Sequence, residues 1–137
     1  MWELMLEKAK AVMQLAYCPY SNFQVGACIV TESGDYFVGC NVENASYSMT
    51  IDAEANAIAH MVAAGQQSIK AILILCHGET PCAPCGACRQ KIREFAQENT
   101  AVMMCSIDAN GKLYQQESTL GVLMPHSFGP EFLDDCG

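Results

Sequence analysis

The stretch DAEANAIAHMVAAG, residues 52–65, decides how the rest of the chain folds. Ala, Met, Val and Ile are strong or tolerable helix formers, and Gly65 is a usual residue just beyond a helix C-terminus. The helix that this stretch predicts is apolar on nearly every side, so it must be covered on all sides. Because 137 residues fit one domain, residues 1–137, a neighbouring subunit is expected to supply part of that cover.

Strand patterns lie on both sides of this helix. Residues 23–44, FQVGACIVTESGDYFVGCNVEN, contain two β-rich runs around the turn signal Ser33-Gly34-Asp35, which predicts a hairpin. Residues 69–76, IKAILILC, form a near-continuous apolar run of the kind that is buried on both faces of a sheet. A second buried strand is predicted for TAVMMCSI, residues 100–107.

Helical patterns alternate with these strands. Apolar residues recur at three- and four-residue steps over residues 2–16, RQKIREFAQEN (89–99) is typical of a helix, and STLGVLMP (118–125) predicts a short helix stopped by Pro125. DANGKLYQ (108–115) is predicted to be a turn with a short extended piece. The alternation predicts an α/β sandwich with one mixed sheet between layers of helices.

Composition narrows the class of partner. The formal charge of −8, with only seven Lys and Arg, argues against a surface that binds nucleic acid and favours a small substrate of little charge. The longest apolar run is far shorter than the roughly 20 residues of a membrane helix. Nine cysteines, an odd number, and an N-terminus without a signal-peptide pattern predict free thiols in a reducing cytoplasm.

The run PCGAC (84–88) points to a metal. The two-residue gap between Cys85 and Cys88 lets a turn entering a helix aim both thiolates at one Zn²⁺. Zinc then needs a third protein ligand, and a fourth position left open would make the site catalytic. The same spacing also suits a thioredoxin-like redox pair, which stays open as an alternative.

Asp52 and Glu54 are candidates for the rest of the site. Two helical residues apart they cannot both face one ion from mid-helix, but at a helix start one can bind the metal while the other carries a proton. Helix N-termini also favour anions. The alternative is structural: Asp52 as the N-cap and Glu54 as an acid of the first turn.

Four separated motifs, FQVGA, NVENASYSM, DAEANAI and PCGACRQ, resemble those of the zinc-dependent cytidine deaminases in order and distance. The resemblance runs from about Pro19 to the end and includes LMPHSFGPEFL. It implies a three-layer α/β/α sandwich with a five-stranded mixed sheet, and one Zn²⁺ per chain. It also implies hydrolysis of cytidine and deoxycytidine to the uridine nucleosides with release of ammonia, by a homotetramer whose sites are shared between subunits.

The resemblance further implies roles for single residues. Cys85 and Cys88 would be zinc ligands, and Glu54 would carry a proton from the activated water to pyrimidine N3. In the substrate pocket, Phe23 would be an aromatic wall, and Asn41 and Glu43 would bind the ribose. The backbone of Ala53 would contact the base, and Phe128 would come from the neighbouring subunit.

Asp52 is a departure, because the family usually has Cys or His there. Carboxylate oxygen is an acceptable zinc ligand, but with two thiolates it leaves one negative charge in excess, and Ala55 stands where three-cysteine members have a compensating arginine. Arg89, next to Cys88, is expected to donate a hydrogen bond to a ligand. We take Asp52 as the third ligand.

Alternatives to that hypothesis stay open. Cys82 could replace Asp52 as a third thiolate, or zinc could bind weakly and catalysis be slow. The chain could also be a zinc-poor, non-catalytic nucleoside-binding protein. Within enzymes, the alternative is a deaminase of another aminopyrimidine nucleoside or of a nucleoside-like antibiotic.

Overall fold

The computed structural model describes residues 1–134, so the predicted domain extends three residues beyond the described part. Its helices are α1 (Trp2–Met13), α2 (Ala53–Ala63), α3 (Gly86–Arg93), α4 (Leu120–Leu123) and α5 (Glu131–Asp134), with a short 3₁₀ turn at Tyr47–Met49. Its strands are β1 (Val25–Thr31), β2 (Tyr36–Cys40), β3 (Ile69–His77), β4 (Ala101–Ile107) and β5 (Leu113–Thr119).

The five strands form one mixed sheet in the order β2-β1-β3-β4-β5. Strands β3 and β4 are parallel, and every other neighbouring pair is antiparallel. Strand β3 lies in the centre and is buried on both faces, as its apolar run predicts. The predicted hairpin is confirmed, since β1 pairs antiparallel with β2 across the turn at Gly34.

Helices cover both faces of the sheet. On one face α1 packs Met5, Ala9 and Met13 against the buried side chains of β1 and β3. On the other face α2 packs against β1 and β2, and Ile92 of α3 joins the same apolar cluster. The predicted three-layer α/β/α sandwich with a five-stranded mixed sheet is confirmed.

Two glycines let the helices approach the sheet closely. A Cβ on Gly26 of β1 would overlap the main-chain carbonyl of Ala9 in α1. A Cβ on Gly39 of β2 would overlap main-chain atoms of Ala53 and Ala57 in α2. Because α2 lies this close to β2, the first turn of α2 has a fixed place above the edge of the sheet.

Helix α2 ends as predicted, and residues 1–134 do not cover its outer side. The N–H of Gly65 donates to the Val62 carbonyl and the N–H of Gln66 donates to the Met61 carbonyl, with Gly65 at φ +87°, which is a Schellman end. Residues Ala59, His60, Val62 and Ala63 are exposed. A neighbouring subunit is therefore needed to cover only one side of α2.

Three predicted boundaries were wrong. Helix α1 ends at Met13 rather than at residue 16, and α3 ends at Arg93 rather than at residue 99. Strand β5 replaces the short extended piece and takes Ser118 and Thr119 from the predicted helix, because both pair with β4. The Thr119 side chain then caps α4 through a bond from the N–H of Val122. Within residues 1–134 no helix is long and apolar enough to cross a bilayer.

Candidate functional site

The N-termini of α2 and α3 bring three candidate ligands together. Asp52 precedes α2, Cys85 precedes α3, and Cys88 lies in the first turn of α3. One ligand atom from each lies within 4.8 Å of the other two. The Asp52 Oδ2 atom is 3.7 Å from Cys85 Sγ and 3.1 Å from Cys88 Sγ. We call these residues the metal triad.

Asp52 occupies the N-cap position of α2 without capping it. Its backbone is extended, at φ −73° and ψ 158°, and its side chain makes no cap hydrogen bond. The carboxylate faces the two thiols instead. The structural alternative is therefore correct about the place of Asp52 in the helix and wrong about what its side chain contacts.

The metal triad fits Zn²⁺. Zinc bonds of about 2.1 Å to oxygen and 2.3 Å to sulfur in a tetrahedron place the two ligand atoms about 3.6 Å apart, and the observed distances bracket this value. Burial, and after it the negative charges of Glu54 and Asp52, raise the pKa of the Cys88 thiol. A divalent cation reverses that balance, because it holds a coordinating thiol in its deprotonated form.

Glu54 is a nearly buried carboxyl beside the metal triad. Its residue is 5 % exposed, and burial is the main cause that raises its pKa, with a further contribution from the charge of Asp52. A hydrogen bond with the Cys88 side chain and the charge of Lys91 act in the opposite direction. A carboxyl with a raised pKa in a cleft is suited to accept a proton and to return it.

A pocket of about 290 Å³ opens over Glu54 and the metal triad. Four of the predicted substrate-binding residues line it, namely Phe23, Asn41, Glu43 and Ala53. Sequence reasoning missed other residues that line it, namely Ser21, Val25, Thr50 and Ala83. Ser21 carries the only signal among them, since it is a polar turn residue two places before Phe23.

Glu43 and Asn41 hold the loop that carries Phe23. Glu43 accepts hydrogen bonds from the N–H groups of Tyr20 and Ser21, at 3.0 and 3.2 Å, and from the Ser21 hydroxyl. That hydroxyl contact is the main cause that lowers the pKa of Glu43. The Asn41 amide donates to the Phe23 carbonyl at 2.8 Å and accepts from the Val25 N–H at 2.9 Å. Each of these groups keeps further hydrogen-bonding capacity for a ligand.

Arg89 bonds the main chain with two of its donors, and the expected hydrogen bond to a metal ligand stays a prediction. Its Nε donates to the Pro84 carbonyl and its Nη1 donates to the Leu123 carbonyl, both at 2.8 Å. These two bonds hold the guanidinium between the loop before α3 and the last residue of α4. Arg89 supports the metal triad by holding the loop in front of Cys85.

Cys82 lines the pocket but is not part of the metal triad. Its thiol makes a side-chain hydrogen bond with Cys76, which is the main cause that raises the pKa of Cys82. Its N–H donates to the Cys105 carbonyl at 3.3 Å. Cys82 is thus engaged with the strands below the pocket, which favours Asp52 as the third ligand. The eight cysteines within residues 1–134 are free thiols.

Phe128 lies away from the pocket of its own chain. It is 56 % exposed, and its ring stacks on Phe132 with the centroids 5.2 Å apart. This position agrees with a role in a neighbouring subunit, which stays a prediction.

Comparison with known proteins agrees with the geometry. Residues 2–104 match the family model of the cytidine and deoxycytidylate deaminase zinc-binding region. A cytidine deaminase of Sporosarcina psychrophila is 38 % identical over 131 residues, which cover 96 % of this chain and 93 % of that protein. A cytidine deaminase of Halalkalibacterium halodurans is 34 % identical over 133 residues, 97 % of this chain and 98 % of that protein.

A solved structure gives the same result for the fold. The crystal structure of cytidine deaminase from Burkholderia pseudomallei superposes with a TM-score of 0.84 at 39 % identity, covering 93 % of this chain and 99 % of that chain. Residues 2–104, which match the family model, contain the metal triad and Glu54. The chain belongs to the zinc-dependent cytidine deaminase family.

Proposed function

We propose that this protein hydrolyses cytidine and deoxycytidine to uridine and deoxyuridine with release of ammonia. The observation that carries the proposal is the placement of the Glu54 carboxyl, which lies buried beside the metal triad and lines the pocket. Family membership and relatives that are themselves cytidine deaminases support the reaction class.

The metal triad would hold one Zn²⁺ per chain. When bound, zinc supplies the Lewis acidity that makes water a nucleophile for the pyrimidine C4 near neutral pH. With three protein ligands, Asp52, Cys85 and Cys88 would leave one coordination position open, as catalytic zinc sites require.

Glu54 moves the protons. It accepts a proton from the attacking water and delivers it to N3 of the pyrimidine, which makes C4 more electrophilic. After attack, Glu54 transfers the proton of the new hydroxyl to the exocyclic amine, which leaves as ammonia. The overall balance is one nucleoside and one water consumed, and one uracil nucleoside and one ammonia formed.

The pocket walls hold the nucleoside. Asn41 and Glu43 would hydrogen-bond the ribose hydroxyls, and Phe23 would pack against the sugar and the base. As the first residue of α2, Ala53 has an N–H without an intrahelical acceptor, which can bind the carbonyl edge of the pyrimidine.

The charge of the pocket favours a nucleoside over a nucleotide. The lining residues include three carboxylates, Glu43, Asp52 and Glu54, and no lysine or arginine. With Zn²⁺ bound the lining would still be negative overall, so it repels a phosphate and offers it no cationic side chain. We therefore assign free nucleosides, and not nucleic acid, as the substrate.

We also propose that the protein acts as a cytoplasmic homotetramer in which Phe128 of one subunit covers the base bound by another. Exposed apolar side chains around the pocket mouth support an assembly, among them Tyr47, Met49 and Ile51. Free thiols support a reducing compartment.

Replacing Glu54 by Gln tests the proposal. The amide keeps the shape of the side chain but cannot accept a proton from water and return it, so we expect turnover to fall on the order of 10²–10⁴-fold. Zinc content and binding of a uridine product should change little. Turnover close to that of the parent would remove Glu54 from the proton path.

A further inference from the structure

Side chains of α3 hold the C-terminal segment, residues 123–131. Arg89 Nη1 donates to the Leu123 carbonyl, Gln90 Nε2 donates to the Phe128 carbonyl at 3.0 Å, and Arg93 Nε donates to the Ser127 hydroxyl at 2.8 Å. Helix α3 also carries Cys88, so the element that positions a metal ligand positions this segment too.

Arg93 contacts the segment on both sides of Phe128. Besides its bond to Ser127, its Nη2 pairs with the Glu131 carboxylate. Between these two contacts the guanidinium lies directly against the backbone of Gly129, where a Cβ would overlap it. The Arg93 side chain is 13 % exposed, so it fills the space under the segment.

The Phe128 ring stacks on Phe132, while its main chain is restrained by α3. Its main chain is held at the carbonyl by Gln90, and the residues before and after it are held by Arg93. The residue is nonetheless 56 % exposed. The segment therefore presents an aromatic ring on a backbone that is restrained from beneath.

We propose that Arg93 is a positioning residue that sets Phe128 at the place where it covers the base in a second copy of this chain. The inference rests on the proposed function, which assigns Phe128 that role. Arg93 touches no substrate and acts only through the segment. Its planar fork suits the task, because one guanidinium bonds Ser127 and Glu131 while its face lies on Gly129.

Three variants and one double variant test the proposal, namely Arg93→Ala, Gly129→Ala, Phe128→Ala and Arg93→Ala with Phe128→Ala. Loss of one base–aromatic contact should raise KM for cytidine on the order of tenfold. We expect this rise in all three single variants, with kcat, zinc content and oligomeric mass close to the parent. The double variant should be no worse than Phe128→Ala alone. Arg93→Lys should recover part of the loss, and Lys112→Ala serves as the control for removing a surface cation.

The outcomes distinguish the role of Arg93 from the role of Phe128. If Phe128→Ala raises KM but Arg93→Ala and Gly129→Ala do not, the inference about Arg93 is overturned and the assignment of Phe128 stands. If the KM increases of Arg93→Ala and Phe128→Ala multiply in the double variant, Arg93 does not act through Phe128, which would also overturn the inference. Should Phe128→Ala leave KM unchanged, the assignment of Phe128 fails together with the inference that rests on it, while the proton path through Glu54 is tested separately.

Discussion

In the proposed reaction Asp52 would be the third zinc ligand, beside Cys85 and Cys88. One carboxylate and two thiolates exceed the charge of Zn²⁺ by one, and excess negative charge raises the pKa of a bound water. Ala55 supplies no compensating cation, and two donors of Arg89 are bonded to main-chain carbonyls. The helix N-termini at Asp52 and Cys85 supply positive potential at the metal triad.

Replacing Asp52 by His tests this charge argument. The imidazole removes one negative charge, so we expect zinc to be retained at least as well and activity to appear at a lower pH. Zinc content after dialysis against a chelator and a pH–rate profile measure both effects. Asp52→Ala is the control and should lose zinc. A metal-free His variant beside a zinc-containing parent would contradict the assignment of Asp52.

Cys28 provides a pH prediction away from the site. Burial beneath α1 raises the pKa of its thiol from 9.0 to about 12, opposed only in part by Lys8. The buried neutral thiol thus favours folding below pH 9, and this contribution is lost as the pH rises toward 12. At pH 8 iodoacetamide should not modify Cys28 in folded protein but should modify it in urea, as mass spectrometry of peptides will show.

Cys85 is the matched control for that labelling. It is exposed, so it should be modified once a chelator has removed zinc. Modification of Cys28 in folded protein at the rate of Cys85 would mean that α1 does not protect it.

At this scale the sequence predicts part of the site. The spacing of Cys85 and Cys88 and the place of Asp52 at a helix start are local features, so their convergence could be predicted. The bond from Ser21 to Glu43 and the bonds from Arg93 to Ser127 and Glu131 could not, because each joins side chains more than twenty residues apart in the sequence.

At the scale of elements, the close packing of α2 on β2 positions Asp52 and Glu54. Gly39 permits that packing, and Asn56 of α2 donates a hydrogen bond to the Cys40 carbonyl at 2.8 Å. The metal triad therefore depends on a strand that contributes no ligand.

Gly39→Ala should displace α2. The added methyl overlaps main-chain atoms, which cannot move aside as a side chain would, so we expect about 1–3 kcal/mol of lost stability. Urea unfolding measures the loss, and the zinc affinity of the folded variant should fall with it. Gly86→Ala is the control for stability, because a Cβ there meets nothing within 4 Å. Equal stability of the two variants would contradict the packing argument.

Periodicity explains which elements were predictable. The apolar run of β3 and the helix-forming stretch of α2 are strong local signals, and both elements are where the sequence places them. Strand β5 was predicted only as a short extended piece, because Gln115, Gln116 and Glu117 are exposed polar residues at a sheet edge. Its pairing with β4 is a tertiary effect that no local pattern records.

At the scale of the whole molecule, we expect the nucleoside sites to be shared between subunits. Glu54 lines the pocket of its own chain, whereas Phe128 lies outside it. If Phe128 covers the base in a neighbouring subunit, we expect a variant that lacks one of these residues to be complemented by a variant that lacks the other.

Mixing Glu54→Gln with Phe128→Ala tests the shared site. After unfolding and refolding together in equal amounts, about a quarter of the sites should combine an intact Glu54 with an intact Phe128. Because only sites with an intact Glu54 turn over, these sites are about half of the active ones, and we expect the KM of the parent to reappear in about half of the activity at saturating cytidine. Each variant refolded alone is the control. A mixture that shows only the sum of the two separate activities would contradict the sharing of sites.

The most direct test of the central claim measures zinc per chain and ammonia release from cytidine on the same gently purified sample. We predict close to one zinc per chain and zinc-dependent turnover, which would make Asp52 a working ligand of a deaminase. Protein that holds no zinc and stays inactive after zinc is added back would contradict the assignment of a zinc-dependent deaminase. A protein that binds nucleosides without deaminating them would then be the better interpretation.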